Sequence, residues 1–249
     1  MNIEAVCPRS GVFFARTKSG GGVLMDLPTG RYVALTPVSA LIWSGLVNQH
    51  GKGAVVDTIA EEKGLSPALA EELFLRQIDI WRKARLIDDG DSESTPLPHL
   101  QPAPGSPPGS LDQERLANTS PTASECADLS FLEFSYSRAL RRDGLAKTLV
   151  RLQRQGTTVT SREALDAVYE SVRAHLFLRR MSLPTPRAHE RLVRSMALSA
   201  SLRKQGLRSE VCIGIIEAPF ESHAWVEAGG LVLNETLEFR LKCAVLGRF

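Results

Sequence analysis

From position 12 the chain alternates β-forming and polar residues around glycine turns. Val12 to Lys18, Val23 to Asp26 and Arg31 to Leu35 are separated by Ser19–Gly22 and Leu27–Gly30, which predicts a small antiparallel meander. The apolar spacing then switches to three and four. Val38, Leu41, Ile42 and Leu46 share one helical face behind Thr36 as N-cap and Pro37 as first helical residue. A second helix is expected over about Ala54 to Lys63, closed by Gly64. A third, capped by Ser66 and opened by Pro67, carries Leu69, Leu73, Gln77 or Ile78, and Trp81 at helical spacing.

The periodicity lapses between Ser92 and Glu125, a stretch holding seven of the fourteen prolines. So little apolar surface cannot offset the entropy of ordering, so residues 91–125 read as a disordered Pro-rich linker. Helical patterns return over about Leu129 to Gln155 and Arg162 to Met181, with Ser161 as a cap for the second. After the break Pro184–Pro186 a third helix runs over about Glu190 to Gln205 and stops at Gly206. Strands follow at Glu210 to Ile216, Ser222 to Glu227 and Leu231 to Asn234, with Pro219 and Gly229–Gly230 at the turns. The expected organisation is α+β throughout. Residues 1–90 form a winged-helix-like module of three strands and three helices, and residues 126–249 form a domain of helices followed by strands.

Composition changes this picture in two ways. Residues 1–90 hold ten Lys/Arg and ten Asp/Glu, whereas 126–249 hold nineteen against thirteen, so the positive excess lies entirely in the second half. A neutral first half argues against DNA as its partner. IAEEKGLSPALAEEL resembles helix-turn-helix, but the would-be recognition helix opens with Glu71 and Glu72, where phosphate would lie. No stretch approaches the roughly 18 apolar residues of a membrane span, and the N-terminus has no apolar signal core, so a cytoplasmic protein without a membrane partner is expected. Four cysteines, Cys7, Cys126, Cys212 and Cys243, are widely spaced and give neither a metal site nor a disulfide framework.

The order helix, then a strand with His-Ala-Trp-Val, then a short strand ending in an acid points to a papain- or transglutaminase-like site. Such sites set a nucleophile at a helix N-terminus, where unpaired N–H groups favour a thiolate. A histidine on the following strands serves as base, and an acid beyond it orients the ring. His223 in ESHAWVE and Glu235 in LVLNE, twelve residues apart, suit a hairpin that sets them side by side.

The segment RLVRSMALSASLRKQGLRSEVCIGIIEAPFESHAWVEAGGLVLNE resembles the C-terminal domain of lasso-peptide leader peptidases, the transglutaminase-like B proteins of lasso-peptide biosynthesis. By that resemblance His223 is the catalytic histidine and Glu235 stands where the family usually has aspartate. Arg191 occupies the family's cysteine position, which is therefore vacant. Ser195, one turn further along the helix, is the substitute nucleophile to consider. Residues 12–87 are similar to the RiPP recognition element, the peptide-binding module also found as the peptide chaperone of pyrroloquinoline quinone biosynthesis. That likeness implies leader binding by strand addition at Arg31, Tyr32 and Val33, with Arg76, Gln77 and Ile80 on the third helix alongside. What the resemblance implies is a cysteine-peptidase-like leader peptidase with a lasso cyclase as second partner. No cofactor is identified in the residues, although ATP dependence is associated with the family. A leader-binding scaffold without hydrolytic activity is the alternative, because of Arg191.

Overall fold

The computed structural model describes residues 6–88, 109–112, 114, 116, 120–155, 162–181 and 188–249. The chain divides into two compact units, Met1–His99 and Leu100–Phe249.

In the first unit β1 (Cys7–Pro8) precedes the meander β2 (Val12–Arg16), β3 (Gly22–Asp26) and β4 (Arg31–Leu35). The meander is antiparallel, with Phe14 opposite Leu24 and Leu24 opposite Val33. The central strand β3 is buried along its whole length, so both flanking strands and the helices are needed to cover it. Asp26 at its end is tied by Arg9 and by the Thr29 hydroxyl, which closes the turn into β4. The chain then enters α1 (Pro37–Val47), α2 (Lys52–Lys63) and α3 (Pro67–Lys83). Three of these boundaries follow from local chemistry. The Thr36 and Ser66 side chains accept from Ser39 N and Leu69 N, each with proline at the first helical position. Gly64 takes the left-handed conformation that ends α2. The apolar faces meet in one core around Ile42, Ile59, Phe74 and Ile78, where Trp43 and Trp81 pack edge to face at 4.8 Å. Burying each such side chain contributes about 1.5–3 kcal/mol. A pairing that sequence pattern did not suggest joins β1 to β5 (Ile87–Asp88), fastening the two ends of the unit together.

The second unit begins before residue 126. Strand β6 (Gly109–Ser110) pairs in parallel with β9 (Leu231–Val232), and Leu111 is buried in the core beside Val172, Leu202 and Val226. Helix α4 (Ala123–Gln153) opens with a capping box between Thr122 and Glu125. The expected linker over 91–125 is thus corrected at its C-terminal end. Leu111 finds a core there, and the Thr122–Glu125 reciprocity starts the helix six residues earlier than the apolar pattern indicates. Residues 89–108 lie outside the described residues, as do the expected Ser161 cap and the Pro184–Pro186 break. Gly144 interrupts α4 with φ of 78°, a value that glycine adopts readily, and the Thr148 hydroxyl caps the freed Gly144 carbonyl.

Helices α5 (Arg162–Met181) and α6 (Ala188–Lys204) follow. The sheet has the order β10-β7-β8-β9-β6, with β7 (Glu210–Ile216), β8 (Glu221–Ala228), and β10 (Ala244–Arg248) at one edge. Helix α6 packs on β8, and α4 and α5 pack on α6. That central position explains its composition: Met196, Ala197, Leu198 and Ala200 are fully buried, and the buried Ser199 hydroxyl bonds that of Ser209. The two-residue hairpin Gly229–Gly230 has positive φ at both positions, as a tight β8–β9 turn requires. Two elements beyond the expected pattern complete the unit, β10 and α7 (Leu237–Lys242), which is capped by Thr236. Both units mix helix and strand, the expected α+β class. Among the described residues no helix is long and apolar enough to cross a membrane.

Candidate active site

The β7–β8 register sets Gly214 opposite His223 and Cys212 opposite Trp225. Gly214 is required by the packing rather than by its backbone angle. A Cβ there would lie 2.8 Å from the Ala244 carbonyl oxygen and 2.8 Å from Trp225, so only glycine lets β10 and the indole close over the strand. Trp225 is fully buried and its ring nitrogen donates to Glu227 at 2.8 Å. Glu227 also receives Arg240 of α7 at 2.7 Å and Arg248 of β10. Burial opposes ionisation of Glu227, but these three donors outweigh it and hold the carboxyl below its ordinary range. This buried cluster fixes α7 against the sheet. Phe239 of α7 then packs on the His223 ring, with centroids 4.2 Å apart.

The expected His223–Glu235 juxtaposition is present: Nε2 lies 2.5 Å from the Glu235 carboxylate. Burial would raise the Glu235 pKa. The hydrogen bond from His223, with help from the Thr236 amide and Arg179, carries it below the ordinary value instead. Asn234 sets the height of this acid. Its side-chain oxygen accepts from Val226 N at 2.7 Å, and its nitrogen donates to Ser195 Oγ at 3.0 Å.

Arg191, near the start of α6, reaches the other face of the imidazole. Its Nη1 lies 3.0 Å from His223 Nδ1 and pairs with the Glu221 carboxylate. A guanidinium only donates, so Nδ1 must accept, and the ring proton sits on Nε2 facing Glu235. The nitrogen that would take a proton from a nucleophile is therefore occupied.

Ser195 does not fill the nucleophile's place, which corrects its candidacy. It is fully buried, donates to the Ala224 carbonyl at 3.0 Å and accepts from Asn234. The helix carries it beneath β8, into the packed interface that one further turn reaches. The thiols of this unit offer no replacement. Burial drives Cys212 far above its ordinary value, and pushes Cys243 up to about 11, so neither is a thiolate near neutral pH. Cys126 lies in the first turn of α4 and does not line the cleft.

His223 and Glu235 open into a cleft of about 290 Å³ whose walls include Arg179, Arg191, Arg194, Glu221, Asn234 and Phe239. His175 also lines it, although the residue four positions on is Arg179 and no local spacing marks a site there. Its contact with the site is made through the fold. Asn234, within LVLNE, takes a positioning role through its hydrogen bonds. Among the described residues no cluster of three or more His, Cys, Asp or Glu is arranged to hold a metal.

In the first unit β4 is an edge strand, paired only with β3 among the described residues. Arg31 is exposed, while Tyr32 and Val33 are half-buried and Val33 packs against the core. On α3, Arg76 and Ile80 are exposed, whereas Gln77 accepts from the Ser39 hydroxyl of α1 at 2.8 Å. Helix α1 touches both β4 and α3.

Residues 129–246 match the family model of the transglutaminase-like superfamily, and residues 21–87 match that of coenzyme PQQ synthesis protein D. The chain thus joins a PqqD-type module to a transglutaminase-like domain. A segment of 55 residues is 38% identical to the microcin J25-processing protein McjB of Escherichia coli, covering 22% of this chain and 26% of that relative. No solved structure matches.

Proposed function

We propose that this protein takes part in lasso-peptide maturation by capturing the leader of a ribosomal precursor, and that its transglutaminase-like domain engages the peptide without cutting it. The leader-capture half is supported by the PqqD-type match and by the edge position of β4 in its sheet among the described residues, a position that suits strand addition. Arg31, Tyr32 and Val33 would meet the peptide backbone, and Arg76 and Ile80 would meet its side chains. The observation that carries the second half is the Arg191–His223 hydrogen bond, in which the family's nucleophile position is filled by a cation that binds the would-be base. A lasso cyclase, receiving the same precursor in the cytoplasm, is the expected partner.

Hydrolysis is the second reading, favoured by one observation: the His223–Glu235 pair is intact at 2.5 Å. In that case a nucleophile of the kind Arg191→Cys supplies attacks the carbonyl at the leader–core junction. His223 delivers the proton to the departing core amine as the peptide C–N bond breaks, water then hydrolyses the acyl-enzyme to free the leader, and Glu235 holds the ring. The test is incubation of a lasso precursor with the full chain, with His223→Ala, with Arg191→Cys and with Arg191→Cys/His223→Ala, followed by mass spectrometry. Binding without cleavage by the parent, and cleavage only by Arg191→Cys, is the expected result. Cleavage by the parent that His223→Ala abolishes would overturn the non-hydrolytic reading. Unchanged precursor affinity after deletion of residues 1–90 would overturn leader capture by the first unit.

A further inference from the structure

The cleft beside His223 holds more positive charge than the His223–Glu235 pair uses. Arg179, Arg191 and Arg194 line it against Glu221 and Glu235, three cations facing two anions, which leaves one net positive charge. Arg191 and Arg194 stand three apart on α6 and therefore share a face, while Arg179 comes from the last turn of α5. Glu133 of α4 approaches Arg194 but does not line the cleft; burial raises its carboxyl pKa against the pull of Arg194. Arg191 is committed to Glu221 and His223, and among the described residues Arg179 makes a long hydrogen bond, 3.5 Å, to the Asn234 carbonyl.

A second, independent feature points the same way. His175 lines the cleft, is 2% exposed, and its Nδ1 has no hydrogen-bond partner among the described residues. A buried polar atom left unpaired costs free energy, which the ring recovers by turning toward a ligand that offers it a hydrogen bond. Burial, then the nearby Arg179 and Arg194, hold this imidazole down at about 3 against the pull of Glu235, so it is a neutral hydrogen-bonding group at physiological pH.

We infer that this cleft is a binding site for a single carboxylate, presented by the acidic side chain or the C-terminal end of a peptide and recognised by Arg179, Arg191 and Arg194 with His175 behind them. Guanidinium forks match a planar carboxylate. One net positive charge balances a monoanion, whereas a phosphate dianion would meet Glu221 and Glu235. The volume, about 290 Å³, is at the small end of the range for ligand pockets and suits a group of amino-acid size. The inference deepens the non-hydrolytic reading of this domain: Arg191 becomes part of what the site binds with.

The experiment uses the full chain and small probes. Acetylglycine presents a chain-terminal carboxylate, acetylglutamate α-methylamide a side-chain carboxylate, acetylglycinamide a neutral control and inorganic phosphate a dianion. Titrations are followed by calorimetry and by the histidine ring resonances. Either carboxylate probe should bind and shift the His175 and His223 rings, the stronger of the two naming the source. Arg194→Gln and Arg179→Gln should each weaken it about tenfold, the loss of one charge-assisted hydrogen bond. Equal binding of acetylglycinamide, binding of phosphate alone, or unaltered affinity in both variants with native circular dichroism would overturn the site. Failure here with precursor binding intact removes only the carboxylate site. Loss of precursor binding with acetylglycine binding intact removes only leader capture.

Discussion

Arg191 and His223 meet through a hydrogen bond of 3.0 Å in which the arginine has nothing to accept with, so the pair dictates where the imidazole keeps its proton. The proton belongs on Nε2, toward Glu235. Long-range nitrogen-15 correlation spectra of His223 should therefore show an unprotonated Nδ1 and a protonated Nε2. A proton on Nδ1 would contradict the arrangement. In Arg191→Ala the Nδ1 acceptor is released and its resonance should move.

Glu235 links the same ring to stability. Its folded carboxyl is held below the ordinary value of 4.5, so it contributes stability that is present above that value and is lost as pH falls through the lowered folded value. Glu235→Gln should destabilise the C-terminal unit by about 1.5–3 kcal/mol at neutral pH, the range for a hydrogen bond to a charged group. Denaturation midpoints of parent and variant should converge as the pH is taken down through the carboxylate range. A gap that stays constant there would assign the effect to packing.

Ser195 separates structural from catalytic roles. Introduced into Arg191→Cys, Ser195→Ala should leave the chemical step of cleavage in place. It should also cost about 1–3 kcal/mol of stability, because the Asn234 amide loses its acceptor. Loss of turnover in a fully folded Ser195→Ala protein would restore the serine as a participant.

Glu227 anchors α7 and β10 through Arg240 and Arg248 while accepting from Trp225. Glu227→Ala takes the carboxylate from Arg240 and leaves Arg248 with only its longer contact to Glu210 at 3.7 Å, and should destabilise the unit by about 3–5 kcal/mol, read from urea unfolding. Because α7 carries Phe239 onto the His223 ring, the His223 resonances should broaden or shift in this variant before the unit unfolds.

What the sequence makes legible is what local chemistry decides. Thr36–Pro37, Ser66–Pro67 and Gly64 mark helix ends that the structure reproduces, because caps and proline act within one turn. The His223–Glu235 pairing is legible because a single glycine-turned hairpin sets the distance. The remaining parts depend on contacts between distant elements. His175 reaches the cleft from α5, forty-eight residues before His223, and nothing in its neighbours in sequence indicates so. Strand β10 has two buried and three half-buried positions without a clean alternation. Helix α7 did carry a readable signal, Thr236 as cap with Glu238 in the first turn, but it spans only six residues. Leu111 sits in proline-rich surroundings whose average composition conceals one residue with a core to enter.

The parallel pairing of β6 with β9 bears on how this domain can be isolated. A fragment cut at residue 126, where the composition shift alone would place the scissors, sheds β6, Leu111 and the Thr122 cap together. It leaves the backbone of β9 bare, three residues from Glu235, as a template on which another copy can align. Such a fragment would be prone to self-association, and one begun ahead of Gly109 would carry its own shield.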